Sequence, residues 1–243
     1  MSGIIAAASR RRIQNIDQRW EDIPNIINLY DSDDAGATWN SRVGASQTLT
    51  RSGSMDTITN WLSSGKNIIR PTTTGNYSSS TTIGLGSDSA ISVAAVGQFP
   101  SSLSVGGLQT LLNGGGAPEN YSLLLFRPSA AATINLIVAP QAGVPITLIN
   151  DISPLLNLPF SYAVRHRVSD WACRLWSSGT LYSGSSSSGS GATGFTNGLR
   201  VFSTSTGINN WNGYLARFSI FQRGLTNQEL EQAVIIGKNL YNF

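Results

Sequence analysis

The stretch at residues 213–230, GYLARFSIFQRGLTNQEL, decides how the whole chain is read. It opens on Gly213 and runs through Tyr214, Leu215, Phe218, Ile220 and Phe221, side chains of the kinds that favour extended backbone. Arg223 and Gly224 interrupt the run, and Leu225 follows. Thr226 and Glu229 then stand three residues apart, the spacing at which two side chains satisfy free amides at a helix start. Leu230, Ala233, Val234 and Leu240 recur at near-helical spacing. The chain is therefore read as closing with a strand, a turn and a capped helix, which Gly237 weakens without ending.

Upstream, short β-like runs alternate with turn residues. Residues 91–96 form a compact apolar run before Gly97 and Pro100, and 121–126, 133–139 and 145–149 are three more. Tyr162, Val164, His166 and Val168 alternate with Ala163, Arg165 and Arg167, the period of a half-buried strand. Ser169 and Asp170 turn the chain into 171–176, and Ser178 and Gly179 turn it again toward Leu181 and Tyr182, making a meander. Residues 184–194 are a low-complexity Ser/Gly loop, and 199–202 add another run. Ile26, Ile27 and Leu29, just after Pro24, are read as the first strand. Strands at short intervals with one terminal helix argue for an all-β sandwich and against βαβ units.

The composition agrees. A chain of 243 residues suits one sandwich domain. Charged residues make up 12% of it, well below the roughly 25% of an average globular protein. Hydrophobic residues make up 40%, with six Trp, enough for a packed core. The net charge is +3, and Arg10, Arg11 and Arg12 form its only dense basic run, with Arg19 close behind. No basic face suited to nucleic acid emerges. Cys173 is the sole cysteine, which excludes an internal disulfide and a Cys-based zinc site. A core standing without disulfides suits a protein made in a reducing cytoplasm. No stretch approaches the roughly 18 apolar residues of a membrane span, and no secretion signal is read at the start. Neither a membrane nor a cofactor is expected.

Residues 1–24 differ from the rest. They carry the Arg run and the patch Trp20, Glu21 and Asp22, with no alternating pattern. They are read as an extended arm outside a sandwich that occupies 25–243. Such an arm is expected to rest on its own domain or on a neighbour.

The closing stretch resembles that of laminin-G-like and concanavalin-A-like domains. There a glycine, an apolar strand, an aromatic, an arginine and a Leu-Ser/Thr-x-x-Glu helix start follow in order. The matching positions are Gly213, Leu215, Phe218, Ile220, Phe221, Arg223, Leu225, Thr226 and Glu229. The meander at 162–184 is similar to the family's, and the Asp-rich opening at 29–41 with Trp39 is similar to that of bacterial and phage members. The resemblance covers about residues 25–243. It implies a jelly-roll sandwich of two antiparallel sheets with a short C-terminal helix, in which Leu225 plugs the edge. Many members carry an acidic residue in the closing strand where this chain has Ala216 and Arg217. Calcium-binding members also need rim carboxylates, which are scarce here.

No catalytic constellation is read. Glycoside hydrolysis needs two carboxylates facing each other across a groove. The four Glu residues are Glu21, Glu119, Glu229 and Glu231, and no expected strand carries an acidic pair. His166 and Cys173 read as core positions, and no Gly-x-Ser-x-Gly occurs. Asp31, Asp33, Asp34 and Gly36 invite a calcium reading, but the twelfth position of such a loop is Arg42. The cluster is read as a solvated loop. Gly114, Gly115 and Gly116 lack the Lys of a phosphate loop.

Aromatics in polar surroundings are the remaining candidates. Trp61 and Tyr77, flanked by Ser, Thr and Asn, are expected to be exposed and are the candidate glycan contacts. Two functions are carried forward. The favoured one is a non-enzymatic virion structural protein, a phage head-decoration or tail component assembled in the host cytoplasm. It would dock on other virion proteins as an oligomer through Arg10, Arg11, Arg12, Arg19 and Trp20. The alternative is a carbohydrate-binding module recognising cell-surface glycans.

Overall fold

The computed structural model describes residues 19–44, 47–72, 75–101, 109–113, 122–128, 134–139, 146–149, 153–186, 195, 198–203 and 211–243. Arg10, Arg11 and Arg12 lie outside the described residues.

Among the described residues the strands, in chain order, are β1 (Ile26–Asp31), β2 (Thr38–Asn40), β3 (Thr48–Ser52), β4 (Met55–Trp61), β5 (Lys66–Pro71), β6 (Asn76–Ser79), β7 (Ala90–Gln98) and β8 (Gln109–Asn113). They continue with β9 (Ser122–Pro128), β10 (Ile134–Ala139), β11 (Ile146–Ile149), β12 (Pro159–Arg167), β13 (Trp171–Ser177), β14 (Thr180–Ser186), β15 (Leu199–Val201) and β16 (Tyr214–Phe221). One helix, α1 (Asn227–Leu240), closes the chain. The first sheet has the order β14-β13-β12-β7-β16-β5-β4, with β1 also paired to β16; the second has the order β11-β10-β9-β8-β15-β6-β3-β2. The strand pairings are antiparallel, so the molecule is the two-sheet sandwich with a C-terminal helix that the sequence indicated.

The core between the sheets comes from alternate positions. Ile91, Val93 and Ala95 of β7 meet Tyr162 and Val164 of β12, Trp171, Cys173 and Leu175 of β13, and Leu215, Phe218 and Ile220 of β16. Tyr30 stacks on Phe218 at 4.6 Å between centroids, and Trp39 sets its edge against both Phe218 and Tyr77.

The opposite face of the first sheet is buried as well. Its positions are small, Ala94, Ala163, Ala172 and Ala216, and α1 lies on them with Leu230, Ala233, Val234 and Ile236. Gly237 is the point of closest approach. A Cβ there would stand 2.3 Å from Ser161 Oγ and 2.6 Å from a Val96 methyl. Glycine is thus needed for packing, which outweighs its low helix propensity.

The helix begins where its capping spacing places it. Thr226 Oγ1 accepts from the Glu229 amide, and the Glu229 carboxylate accepts from the Thr226 amide at 2.8 Å. Arg223 holds that carboxylate with two donors, at 2.9 and 2.6 Å. Leu225 is buried beside it, its amide donating to Ser92 Oγ and its carbonyl accepting from Arg165.

The arm expectation is corrected from Trp20 onward. Trp20 has 0% exposure and lies in a 3-10 turn, Trp20–Asp22, packed against α1. Its indole nitrogen donates to the Ala233 carbonyl at 2.8 Å. Ile23 is buried in the same cluster. The reason is that α1 alone leaves part of the outer face of β16 bare, and Trp20 and Ile23 cover it.

Two measurements check this layer. Trp20→Ala should lower unfolding free energy by about 3–5 kcal/mol in chemical denaturation, the usual cost of emptying a buried aromatic site. The Arg223 guanidinium, with the amide and hydroxyl of Thr226, holds the Glu229 carboxyl down at about 2, against 4.5 ordinarily. That folded-state depression means its stabilisation is present above pH 4.5 and is lost as pH falls toward 2. Glu229→Gln should therefore flatten melting temperature against pH within that window.

Candidate functional site

The groups that could do covalent or acid–base chemistry are buried or paired. His166 is 1% exposed, on β12 opposite Ile91 and Trp171. Burial lowers its pKa to about 4, with Asp170 pulling weakly the other way, so the ring is neutral at physiological pH. Burial pushes the Cys173 thiol up to about 12, which leaves no thiolate for nucleophilic work.

Among the described residues, many carboxylates are ion-pair partners. Asp31 and Asp34 both bind Arg42, the former at 2.9 Å, and Asp33 binds Lys66 at 2.9 Å. Glu21 binds Arg217 at 2.9 Å, Asp56 binds Arg70 at 3.2 Å, and Asp170 binds Arg165 at 3.2 Å. The Asp31–Asp34 region is therefore a cross-linked corner in which Asp33 and Asp34 stay exposed. Asp31 is buried, and its side chain also accepts the Asp33 amide. Among the described residues no group of three or more His, Cys, Asp or Glu is placed to hold a metal ion.

Expected exposure of the two aromatic candidates is corrected. Trp61 is 4% exposed; its indole donates to Gln98 Oε1 at 2.8 Å, and its ring packs on Tyr241 and Phe243. Asn60, Leu62 and Ser63 all have positive φ around it, and this turn aims the ring inward. Tyr77 is 1% exposed, its hydroxyl donating to the Gly36 carbonyl at 2.7 Å. Both rings fill the structure and present no platform for a sugar. Of the proposed docking residues, Arg19 is exposed and Trp20 is core.

What remains open is a cleft that sequence reasoning missed. It measures ≈ 370 Å³ and is lined by Ile27, Asn28, Gln47, Thr81, Thr82, Ile83, Gly84 and Gln222. The volume falls at the small end of ligand sites. Its walls come from β1, the segment after β6 and the residue after β16, so no contiguous motif marks it. Gln47 is held by donating to the Thr81 carbonyl at 3.1 Å, and its own carbonyl accepts from Tyr30 at 3.0 Å. Gln222 leans toward the Gly84 and Leu85 carbonyls at 3.4 and 3.5 Å. The lining offers amide oxygens and threonine hydroxyls to a ligand, with Ile27 and Ile83 as apolar contact and no ionisable group.

Since His166 is the sole histidine, its ring proton resonances report on it without assignment. They should titrate near pH 4 in the folded protein, and Cys173 should resist alkylation until the protein is unfolded.

No protein-family model matches the sequence, and no curated protein matches it. Solved structures do. The receptor binding domain of botulinum neurotoxin type G is 15% identical, over 87% of this chain and 51% of that one, at a TM-score of 0.54. The binding domain of botulinum neurotoxin DC, in complex with SialylT, is 11% identical, over 89% and 52%, at 0.58. A GH54 α-L-arabinofuranosidase is 14% identical, over 84% and 50%, at 0.58. This chain spans about half the length of each. The group holds both binding domains and enzymes, and at these identities the likeness shows a shared lectin-like β-sandwich fold.

Proposed function

We propose that this chain is a non-enzymatic, lectin-like module of the concanavalin-A/laminin-G kind. It binds neutral saccharides in the Gln47–Gln222 cleft and is carried on a bacteriophage virion through its N-terminal arm. The observation that carries the first half is the cleft's chemistry. Amide oxygens and hydroxyls match the donors and acceptors of sugar hydroxyls, while Ile27 and Ile83 suit the apolar faces of a ring. The lack of a carboxylate pair across it excludes this cleft as a glycosidase centre of the usual two-acid kind. Solved structures of this fold, described in complex with SialylT and with two ganglioside molecules, support glycan binding in general. Fold likeness alone does not assign function, and the cleft carries the reading.

The second half rests on the anchoring of Trp20. It clamps the chain to α1, and Arg10, Arg11 and Arg12 precede it in the sequence. Arginines there would meet acidic groups on neighbouring virion subunits during assembly in the host cytoplasm.

The full chain titrated with neutral saccharides identified on a glycan array tests the first half. Gln222→Ala and Gln47→Ala should each weaken binding about 10-fold, as loss of one or two polar contacts implies. A folded protein that binds no neutral saccharide, or whose binding survives both substitutions, would refute it. For the second half, deletion of residues 1–18, stopping short of the Trp20 clamp, should abolish incorporation into purified particles. Retained incorporation would remove the arm from the account.

A further inference from the structure

A second concave site lies at the end of the first sheet where β5 stops and β16 starts. It measures ≈ 290 Å³ and is lined by Arg70, Pro71, Thr72, Ser101 and Asn212. Resting on the reading of the chain as a saccharide binder, we propose that this site takes the carboxylate of an acidic sugar, with Arg70 as its recognition residue.

The walls are fixed by close backbone approaches. A Cβ on Gly213 would stand 2.4 Å from the Gln98 carbonyl oxygen and 2.6 Å from the Trp211 indole nitrogen. That contact presses the Asn212 segment onto the one that carries Ser101. On the other side, a Cβ on Gly75 would stand 2.6 Å from the Ser54 carbonyl oxygen. The Thr72 amide donates to that same oxygen at 3.1 Å. The site is therefore preorganised on both flanks, which spares a ligand the cost of ordering it.

Arg70 is held rigidly but not used up. Its guanidinium lies over the Tyr214 ring at 4.7 Å from the centroid. Its Nε and Nη2 both donate to Asp56 Oδ2, at 3.3 and 3.2 Å. The Tyr214 hydroxyl reaches the same oxygen at 3.4 Å. Nη1 has no partner among the described residues, and the side chain is 37% exposed. Stacking and the carboxylate thus orient a charged donor whose remaining N–H groups are available beside the Ser101 hydroxyl and the Asn212 amide, while the Thr72 hydroxyl donates to the Ser54 carbonyl at 3.3 Å.

The charge balance narrows the ligand. One guanidinium with Asp56 beside it suits a monoanion; a phosphate dianion or a sulfated polymer would meet one cation and a nearby carboxylate. The volume is small, so the site fits a single sugar ring and not a run of them. The two clefts then divide the chemistry: the Gln47–Gln222 cleft takes neutral rings, and this one takes an acidic ring.

The test is calorimetric titration of the full chain with methyl β-glucuronide, its methyl ester, methyl β-glucoside and inorganic phosphate. The free acid should bind at least about 10-fold more tightly than its ester or phosphate, the scale of one charge-assisted hydrogen bond. Its affinity should fall as salt is raised. Arg70→Gln should abolish the difference between acid and ester. Asn212→Asp, which keeps the Arg70–Asp56 pair and adds a negative charge to the wall, should weaken the acid alone. Both variants should retain the binding of neutral saccharides that Gln222→Ala impairs, which also reports that they are folded. Equal binding of acid and ester, preference for phosphate, or an acid affinity untouched by both variants would overturn the proposal while leaving the neutral site standing. Loss of every saccharide from the unaltered chain would overturn both.

Discussion

Strand β16 is buried on both faces, and the rest of the molecule is arranged to make that possible. It pairs with β7 along one edge and shares its other edge between β5 and β1. Leu215, Phe218 and Ile220 fill the core between the sheets, so the opposite row must be covered by something else. A register shift between Leu215 and Arg217 leaves Ala216 and Arg217 together on that outer side. A guanidinium buried there needs a carboxylate and a surface to lie on. Glu21 supplies the first at 2.9 Å, and the Trp20 ring lies 5.6 Å below the guanidinium carbon. The segment around Trp20 is thus part of the fold because β16 carries a buried arginine on this face.

The same economy governs the other charges. With 12% charged residues, the sandwich uses its acids as stitches, some local and some between segments far apart in sequence. Asp33 joins the turn after β1 to Lys66, Asp170 steadies the buried Arg165, and Glu229 ties the start of α1 to Arg223. The Glu229 carboxylate, held down chiefly by Arg223, is the opposite of the raised pKa that a glycosidase acid requires.

The two clefts lie at the margins, where strand ends and connections converge. Gln47 and Gln222 are brought to one cleft by β1 passing between them, and Arg70 and Asn212 to another by the ends of β5 and β16. Strand ends hold the walls of each cleft and short connections supply the polar atoms. Neither cleft uses an aromatic platform, because the aromatics are spent on the core and on α1. Trp39 and Tyr77 bridge the sheets, and Trp61 seats the C-terminal residues Tyr241 and Phe243.

Local patterns determined the strands that are buried and the helix that is capped. β7 and β16 announce themselves as apolar runs, the β12–β14 meander by its turns, and α1 by Thr226 and Glu229. Strands β3 and β4, TLTRS and MDTITNW, show no apolar alternation because most of their side chains face solvent, and they were not singled out. The direction of a side chain is invisible when its burial depends on a distant partner. Trp20 bonds to Ala233, 213 residues away. Trp61 and Tyr77 turn inward despite polar neighbours, and Asp33 of the first turn meets a lysine more than thirty positions on. Both clefts share this property, since each joins residues from separate strand ends. Sequence periodicity reports a residue's immediate backbone, and so it settled the architecture. Packing between remote segments selected which groups are left facing water, and so only the tertiary structure decided the sites.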